Sequence, residues 1–145
     1  MAVLRIPKVR LEAPIFEGTN ALVLDRGLGH ISATVVPGAD GNIGIAGHRD
    51  SFFRTLKYIG VGDVIEVVMH RRTDAYVVDR TFRVNPQDLW VLEPRSVASI
   101  TLVTCYPFYG IGKAAQRYIV QASFATSIAN APNGEPGDVE LVNSN

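Results

Sequence analysis

Residues 100–120 read Ile-Thr-Leu-Val-Thr-Cys-Tyr-Pro-Phe-Tyr-Gly-Ile-Gly-Lys-Ala-Ala-Gln-Arg-Tyr-Ile-Val, and they hold Cys105, the single cysteine of a 145-residue chain. Residues 100–104 are β-branched or apolar, with no Gly or Pro, which predicts a strand. Pro107, Gly110 and Gly112 mark a loop, and residues 117–122 predict a second strand. A thiol thus stands where one strand ends and the guanidinium of Arg117 where the next begins. A hairpin would bring the two ends together. A strand end is a rigid mount for a reactive group, whereas a buried structural cysteine more naturally lies mid-strand. Alternation puts Thr101, Val103 and Cys105 on one face and Ile100, Leu102 and Thr104 on the other, so the thiol need not share the core of Leu102.

Outward from this stretch the chain is rich in short extended runs. Residues 3–15 are extended but interrupted by Pro7 and Pro14, which suit bent or edge pieces. Residues 21–25 can make a short helical turn stopped by Gly27 and Gly29. Residues 43–46 form a short apolar strand that ends at Gly47-His48. Phe52, Leu56 and Ile59 share a helical face, with Asp50 or Ser51 as cap and Gly60 as stop. Residues 63–69 and 74–84 predict two strands joined by His70-Arg71-Arg72-Thr73, and residues 89–92 a short strand around Trp90. About eight short strands with one or two short helices predict an antiparallel barrel or sandwich. One domain is expected over residues 1–125. Residues 126–145 are polar and rich in Gly, Pro and Asn, and predict a flexible tail in which residues 139–142 could still add an edge strand.

Composition narrows the function classes. Lys+Arg and Asp+Glu number 14 each, so nothing favours a nucleic-acid surface, which needs clustered positive charge. One cysteine excludes an intramolecular disulfide and any multi-cysteine metal site. Asp63, Glu66, Asp74, Asp79, Asp88 and Glu93 are scattered without a ligand spacing, and no cofactor is expected. No apolar run approaches the ~18 residues of a membrane span. His48-Arg49-Asp50 matches only the start of a kinase catalytic loop, and Gly27-Leu28-Gly29 lacks the third glycine of a dinucleotide site.

What remains is thiol chemistry. A cysteine nucleophile reacts as thiolate and needs a base or imidazolium partner. His48, at a strand end, is the candidate, with His30 in Gly27-Leu28-Gly29-His30 as its rival; His70 in the charged connection is expected to be solvated. Acyl transfer also needs a donor aimed at the developing oxyanion, and Arg117 offers five fixed donors with a permanent charge. Taken alone, each residue has an ordinary reading: a small buried hydrophobe, a loop histidine, a surface arginine worth under about 1 kcal/mol.

Together they resemble the sortases, cysteine transpeptidases of bacterial surfaces. Thr101-Leu102-Val103-Thr104-Cys105 matches the family's Thr-Leu-x-Thr-Cys motif, Gly47-His48 its histidine motif, and Arg117 the arginine beyond the cysteine loop. The resemblance runs from Ile6 to Ala122. The Cys105–Arg117 spacing, the Cys-Tyr-Pro-Phe run and Gly29-His30 resemble the class D branch, although Lys113-Ala114-Ala115 replaces the proline-containing stretch expected there. The resemblance implies a closed eight-stranded β-barrel and a two-step reaction. Cys105 would attack the Thr peptide bond of a Leu-Pro-x-Thr-type sorting signal on a surface protein. An amine, such as that of a cell-wall precursor or a pilin lysine, would resolve the thioacyl enzyme. His48 would shuttle the proton and Arg117 would hold the carbonyl. It further implies that Thr104 and His30 line the groove, and that an N-terminal helix anchors the enzyme on the extracytoplasmic face of a bacterial membrane. A cysteine hydrolase with the same site and a non-catalytic β-barrel module are the other classes the sequence admits.

Overall fold

The computed structural model describes residues 2–106 and 116–137, with the backbone alone at Cys105 and Tyr106. The loop marked by Pro107, Gly110 and Gly112, the Lys113-Ala114-Ala115 stretch and the candidate edge strand at 139–142 lie outside the described residues.

Eight strands close on themselves. They are β1 (Ala2–Ile6), β2 (Leu11–Glu17), β3 (Leu28–His30), β4 (Asn42–Ala46), β5 (Val64–Val68), β6 (Arg72–Val84), β7 (Ser99–Tyr106) and β8 (Gln116–Ala129). Their order around the barrel is β1-β2-β3-β4-β7-β8-β6-β5, and β5 returns to β1. Closure removes the unpaired edges that an open sheet would expose. Two of the pairings, β2 with β3 and β4 with β7, are parallel, so the barrel is not purely antiparallel.

Alternation explains which residues fill the interior. Leu4 and Ile6 of β1, Ile43 and Ile45 of β4, Ile65 and Val67 of β5, and Ile100 and Leu102 of β7 are buried in one cluster. Pro14, one residue before β2 first meets β3 at Ile15–Leu28, sits where its missing N–H opens no gap in that second ladder.

Three local expectations are corrected. Residues 89–92 form a 3-10 helix, Leu89–Leu92, rather than a strand. Four apolar residues carry too little periodicity to separate the two. The segment containing Phe52, Leu56 and Ile59 is likewise a 3-10 helix, Arg54–Tyr58, with no side-chain cap from Asp50 or Ser51; Phe53 and Leu56 plug the barrel end without needing a full α-helical turn. The α-helix among the described residues is α1 (Ala21–Arg26), where the Asn20 side chain accepts from Val23 N at 3.0 Å. A boundary also moves. β8 passes residue 125 and ends at Ala129, with Thr126, Ser127 and Ile128 paired to Ala75, Asp74 and Thr73. Asn130 then fastens the end, its amide donating to Met69 O at 2.7 Å and its carbonyl accepting from the Thr73 hydroxyl at 2.7 Å. Polar residues continue the strand because a strand partnered on β6 needs backbone pairing more than apolar side chains.

The outer face of β7 carries a second, polar layer that positions the site. Thr101, fully buried, donates to Asn42 Oδ1 at 2.8 Å. The Asn42 amide donates to Val91 O at 3.0 Å and Glu93 O at 2.9 Å. The Gln121 amide reaches Val91 O at 3.0 Å. Three side chains from β4, β7 and β8 thus hold the Leu89–Leu92 helix against the barrel. Buried amides and hydroxyls that satisfy each other this way specify one arrangement, because each misplacement strands a desolvated group.

Candidate active site

Register places the three candidate residues together before any side chain is considered. β7 is flanked by β4 on one side and β8 on the other. Cys105 pairs directly with Arg117 of β8. On the other side Ala46 pairs with Val103, and Gly47 N donates to Val103 O at 3.2 Å, extending the ladder one step. His48 therefore follows Ala46 by the same two residues that separate Cys105 from Val103. Cys105, His48 and Arg117 stand at the same end of three adjacent strands.

Gly47 is required for this step. A Cβ at that position would lie 2.6 Å from the Phe53 ring and 2.8 Å from Leu28 Cδ2, both buried. Behind it, His48 O accepts from Phe53 N at 3.1 Å, which turns the chain away from the strand end. The imidazole of His48 is left 41% exposed, with Nε2 3.6 Å from Asp25 Oδ1 of α1. A half-exposed ring can exchange protons with solvent and with a substrate.

Arg117, half-buried, lines a groove of about 400 Å³. The floor includes Ala46 of β4, Val103 of β7 and Ile119 of β8; the walls include Ile31, Leu92 and Leu89. The Leu89–Leu92 helix fixed by Asn42, Thr101 and Gln121 is one of these walls. The lining is mostly apolar and also includes Thr19, Asn85 and Asp88 beside Arg117, a mix that offers apolar contact with a few polar partners.

The two weaker candidates are placed elsewhere. Thr104 is 1% exposed, and among the described residues its hydroxyl has no hydrogen-bond partner and it is not one of the groove residues. Strict alternation turns it to the opposite side of β7 from Val103. His30 is 2% exposed at the end of β3 and also lies outside the groove lining. Its ring is held between Glu17 and Val35, Nδ1 lying 2.8 Å from Glu17 Oε1 and Nε2 2.8 Å from Val35 O. The Ser32 hydroxyl, and then the His30 ring, hold the Glu17 carboxyl below the usual carboxylate range. Sequence reading missed Ile31, Leu92 and Asp25. Ile31 directly follows the Gly29-His30 pair and Leu92 belongs to an apolar run, but nothing local shows that either faces β7.

A barrel closed by parallel β2–β3 and β4–β7 pairs, carrying a cysteine and an arginine across one antiparallel step, has known counterparts. Residues 4–125 match the Sortase domain family. Sortase D of Bacillus subtilis is 34% identical over 125 residues, which is 86% of this chain and 63% of that protein. The chain thus spans under two thirds of that relative's length. Among solved structures, the Clostridium perfringens sortase D5 transpeptidase is similar, with a TM-score of 0.76 at 32% identity over 86% of this chain and 78% of that one. Sortase A of Corynebacterium diphtheriae gives 0.81 at 31% identity over 91% of this chain and 63% of that one. The chain belongs to the sortase family.

Proposed function

We propose that this protein is a cysteine transpeptidase that cuts a Leu-Pro-x-Thr-type sorting signal and passes the acyl fragment to an amine. The observation that carries this reading is the convergence of Cys105, His48 and Arg117 at one end of β7, β4 and β8, beside the apolar groove.

The Cys105 thiolate attacks the threonyl carbonyl carbon, and its sulfur forms the new bond. Arg117 donates hydrogen bonds to the carbonyl oxygen as charge gathers there. The C–N bond then breaks, and the proton of the His48 imidazolium goes to the departing amine. A thioester remains. An incoming amine attacks it, His48 takes the amine's proton, and the thiolate leaves. The product is a new amide, with enzyme and proton inventory restored.

The groove favours a peptide with small or apolar residues before the threonine, as a Leu-Pro segment has. Similarity to sortase D supports the class D reading. Among the described residues no helix is long and apolar enough to cross a membrane. We place the enzyme at the extracytoplasmic face of a bacterial membrane, held by an N-terminal anchor, because the family resemblance implies it. The natural acceptor is then an amine of the cell surface.

The test is mass spectrometry of the protein with a small library of Leu-Pro-x-Thr peptides, with and without added amine. A thioacyl adduct is expected on the wild type and none on Cys105→Ala, which should fold normally. Turnover that amines do not redirect would mark a hydrolase. Absence of any adduct, or an adduct that persists on Cys105→Ala, would overturn the assignment.

A further inference from the structure

His30 is the residue that the catalytic assignment leaves unexplained. It is a buried, titratable ring at the end of β3, and each ring nitrogen meets an oxygen. Nε2 lies 2.8 Å from Val35 O and 3.1 Å from the Thr34 hydroxyl. A backbone carbonyl only accepts. The Thr34 hydroxyl directs its own proton to Ile31 O at 2.7 Å, so toward His30 it too can only accept. Nε2 must therefore carry hydrogen. Nδ1 faces Glu17 Oε1 at 2.8 Å. The other oxygen of Glu17 accepts from the Ser32 hydroxyl, an arrangement that favours the ionised carboxylate. Nδ1 thus also faces a hydrogen-bond acceptor.

The groups clasped by this ring belong to the groove. The 31–35 turn lies on β4: Ile31 N donates to Gly44 O at 2.9 Å, and Gly44 N donates to the Thr34 hydroxyl at 2.9 Å. Gly44 permits that approach, since a Cβ there would meet Thr34 Cγ2 at 2.9 Å, Ile31 Cδ1 at 3.2 Å and Leu92 Cδ2 at 3.2 Å. Ile31 and Leu92 are groove walls. We propose that His30 is a positioning residue: as a doubly protonated ring it ties Glu17 of β2 to the 31–35 turn and so holds Ile31 against Leu92 in the groove wall.

Few other titratable groups face His30. Glu17 faces it from β2. His70, from the turn between β5 and β6, shares a cavity of about 430 Å³ with it. Its β4 partner is Ile45, which carries no titratable group, and the 31–35 turn offers only neutral oxygens. A neutral His30 would lose one of its two donors and leave either the half-buried Val35 O or the exposed Glu17 carboxylate without this bond.

The consequence for peptide binding rests on the transpeptidase reading above, but the protonation state does not. Nitrogen NMR of the wild-type ring at neutral pH should show two protonated-type nitrogens; one unprotonated nitrogen would overturn the clasp. His30→Gln keeps one donor group and should raise KM for a sorting-signal peptide about tenfold, with kcat within about twofold, as loss of one charge-assisted hydrogen bond implies. Glu17→Gln should shift KM in the same direction, and it serves alone if His30→Gln does not fold. Unchanged KM in a folded variant, alongside an active wild type, would sink the proposal. A wild type that forms no adduct would instead defeat the transpeptidase reading, and the nitrogen signals would still decide the clasp.

Discussion

Cys105 of β7 and Arg117 of β8 are direct cross-strand partners in an antiparallel ladder. Directly opposed residues have Cβ atoms only about 4.5–5.5 Å apart, so the pairing itself sets how closely a donor can follow the reacting carbonyl. A permanent charge on a rigid strand needs no reorganisation when the oxyanion forms.

Replacing that donor separates catalysis from surface charge. Arg117→Lys preserves the charge but removes the planar fork. Losing one oxyanion donor costs about 10²–10³ in rate, whereas an exposed ion pair is worth under about 1 kcal/mol. The expected outcome is a kcat/KM at least about tenfold lower, with a melting temperature shifted by no more than a few degrees. Arg71→Lys, in the connection before β6, is the control. Near-wild-type turnover for Arg117→Lys would return Arg117 to a surface role.

The polar layer beneath the Leu89–Leu92 helix links stability to binding. Asn42→Ala removes two donors, to Val91 O and Glu93 O, and the acceptor of Thr101. Gln121 still serves Val91 O, but Glu93 O loses this donor and the Thr101 hydroxyl loses its short acceptor. Glu93 is exposed and Thr101 keeps a long bond to Val91 O at 3.4 Å, so urea unfolding should show a loss of about 1–3 kcal/mol, the cost of one weakened buried group. KM should also rise, since Leu89 and Leu92 line the groove. A stability loss without any change in KM would show that the helix does not need this network for its position.

Much of the fold was legible because strands announce themselves by β-branched runs. The runs at 63–69 and 74–84 lie within two residues of β5 and β6 at each end. β3 was not legible: Leu28-Gly29-His30 has a glycine at its centre, and its pairings, to β2 and β4, are set by tertiary closure. The same physics divides the site. Cys105 and Arg117 could be joined by hairpin logic, since they flank one loop. His48 reaches them only through a parallel β4–β7 pair whose strands are more than fifty residues apart in sequence, so the family motif, not local pattern, connected it. Thr104 and His30 came from motif transfer alone. Both sit beside groove residues in sequence, yet burial assigns them other surroundings.

Tyr76 gives the barrel a base-sensitive point. It is buried on β6, packed edge-on against Phe124 at 5.7 Å, and burial together with the nearby Asp74 charge pushes its phenol up to about 12 from 10.0. The raised value means that the unfolded chain releases this proton first as pH rises. The contribution to stability is therefore fully present below pH 10.0 and is lost as pH climbs through about 12. Its upper bound is on the order of 3 kcal/mol. Tyr76→Phe should flatten the stability loss over that window in urea titrations. An identical alkaline slope in both proteins would show that Tyr76 ionises freely.

The last expectation concerns Asp25 and His48. Nε2 lies 3.6 Å from Asp25 Oδ1, with the two side chains 41% and 71% exposed. That separation is longer than a hydrogen bond, and water screens it. Exposed pairs contribute about 0.2–1 kcal/mol, equivalent to at most about fivefold in an equilibrium or rate. Asp25→Asn should therefore lower kcat/KM by less than about fivefold. Such a loss fits a group that sits beside the ring without being part of the reaction. His48→Ala removes the proposed proton carrier and should cost about 10²–10⁴ in rate. The wild-type profile against pH should be bell-shaped, because thiolate and imidazolium must coexist and each is depleted at one extreme. A rate rising monotonically into alkali would mean that no protonated histidine is needed. A loss for Asp25→Asn as large as that for His48→Ala would make the pair a catalytic dyad, far stronger than its exposed geometry supports.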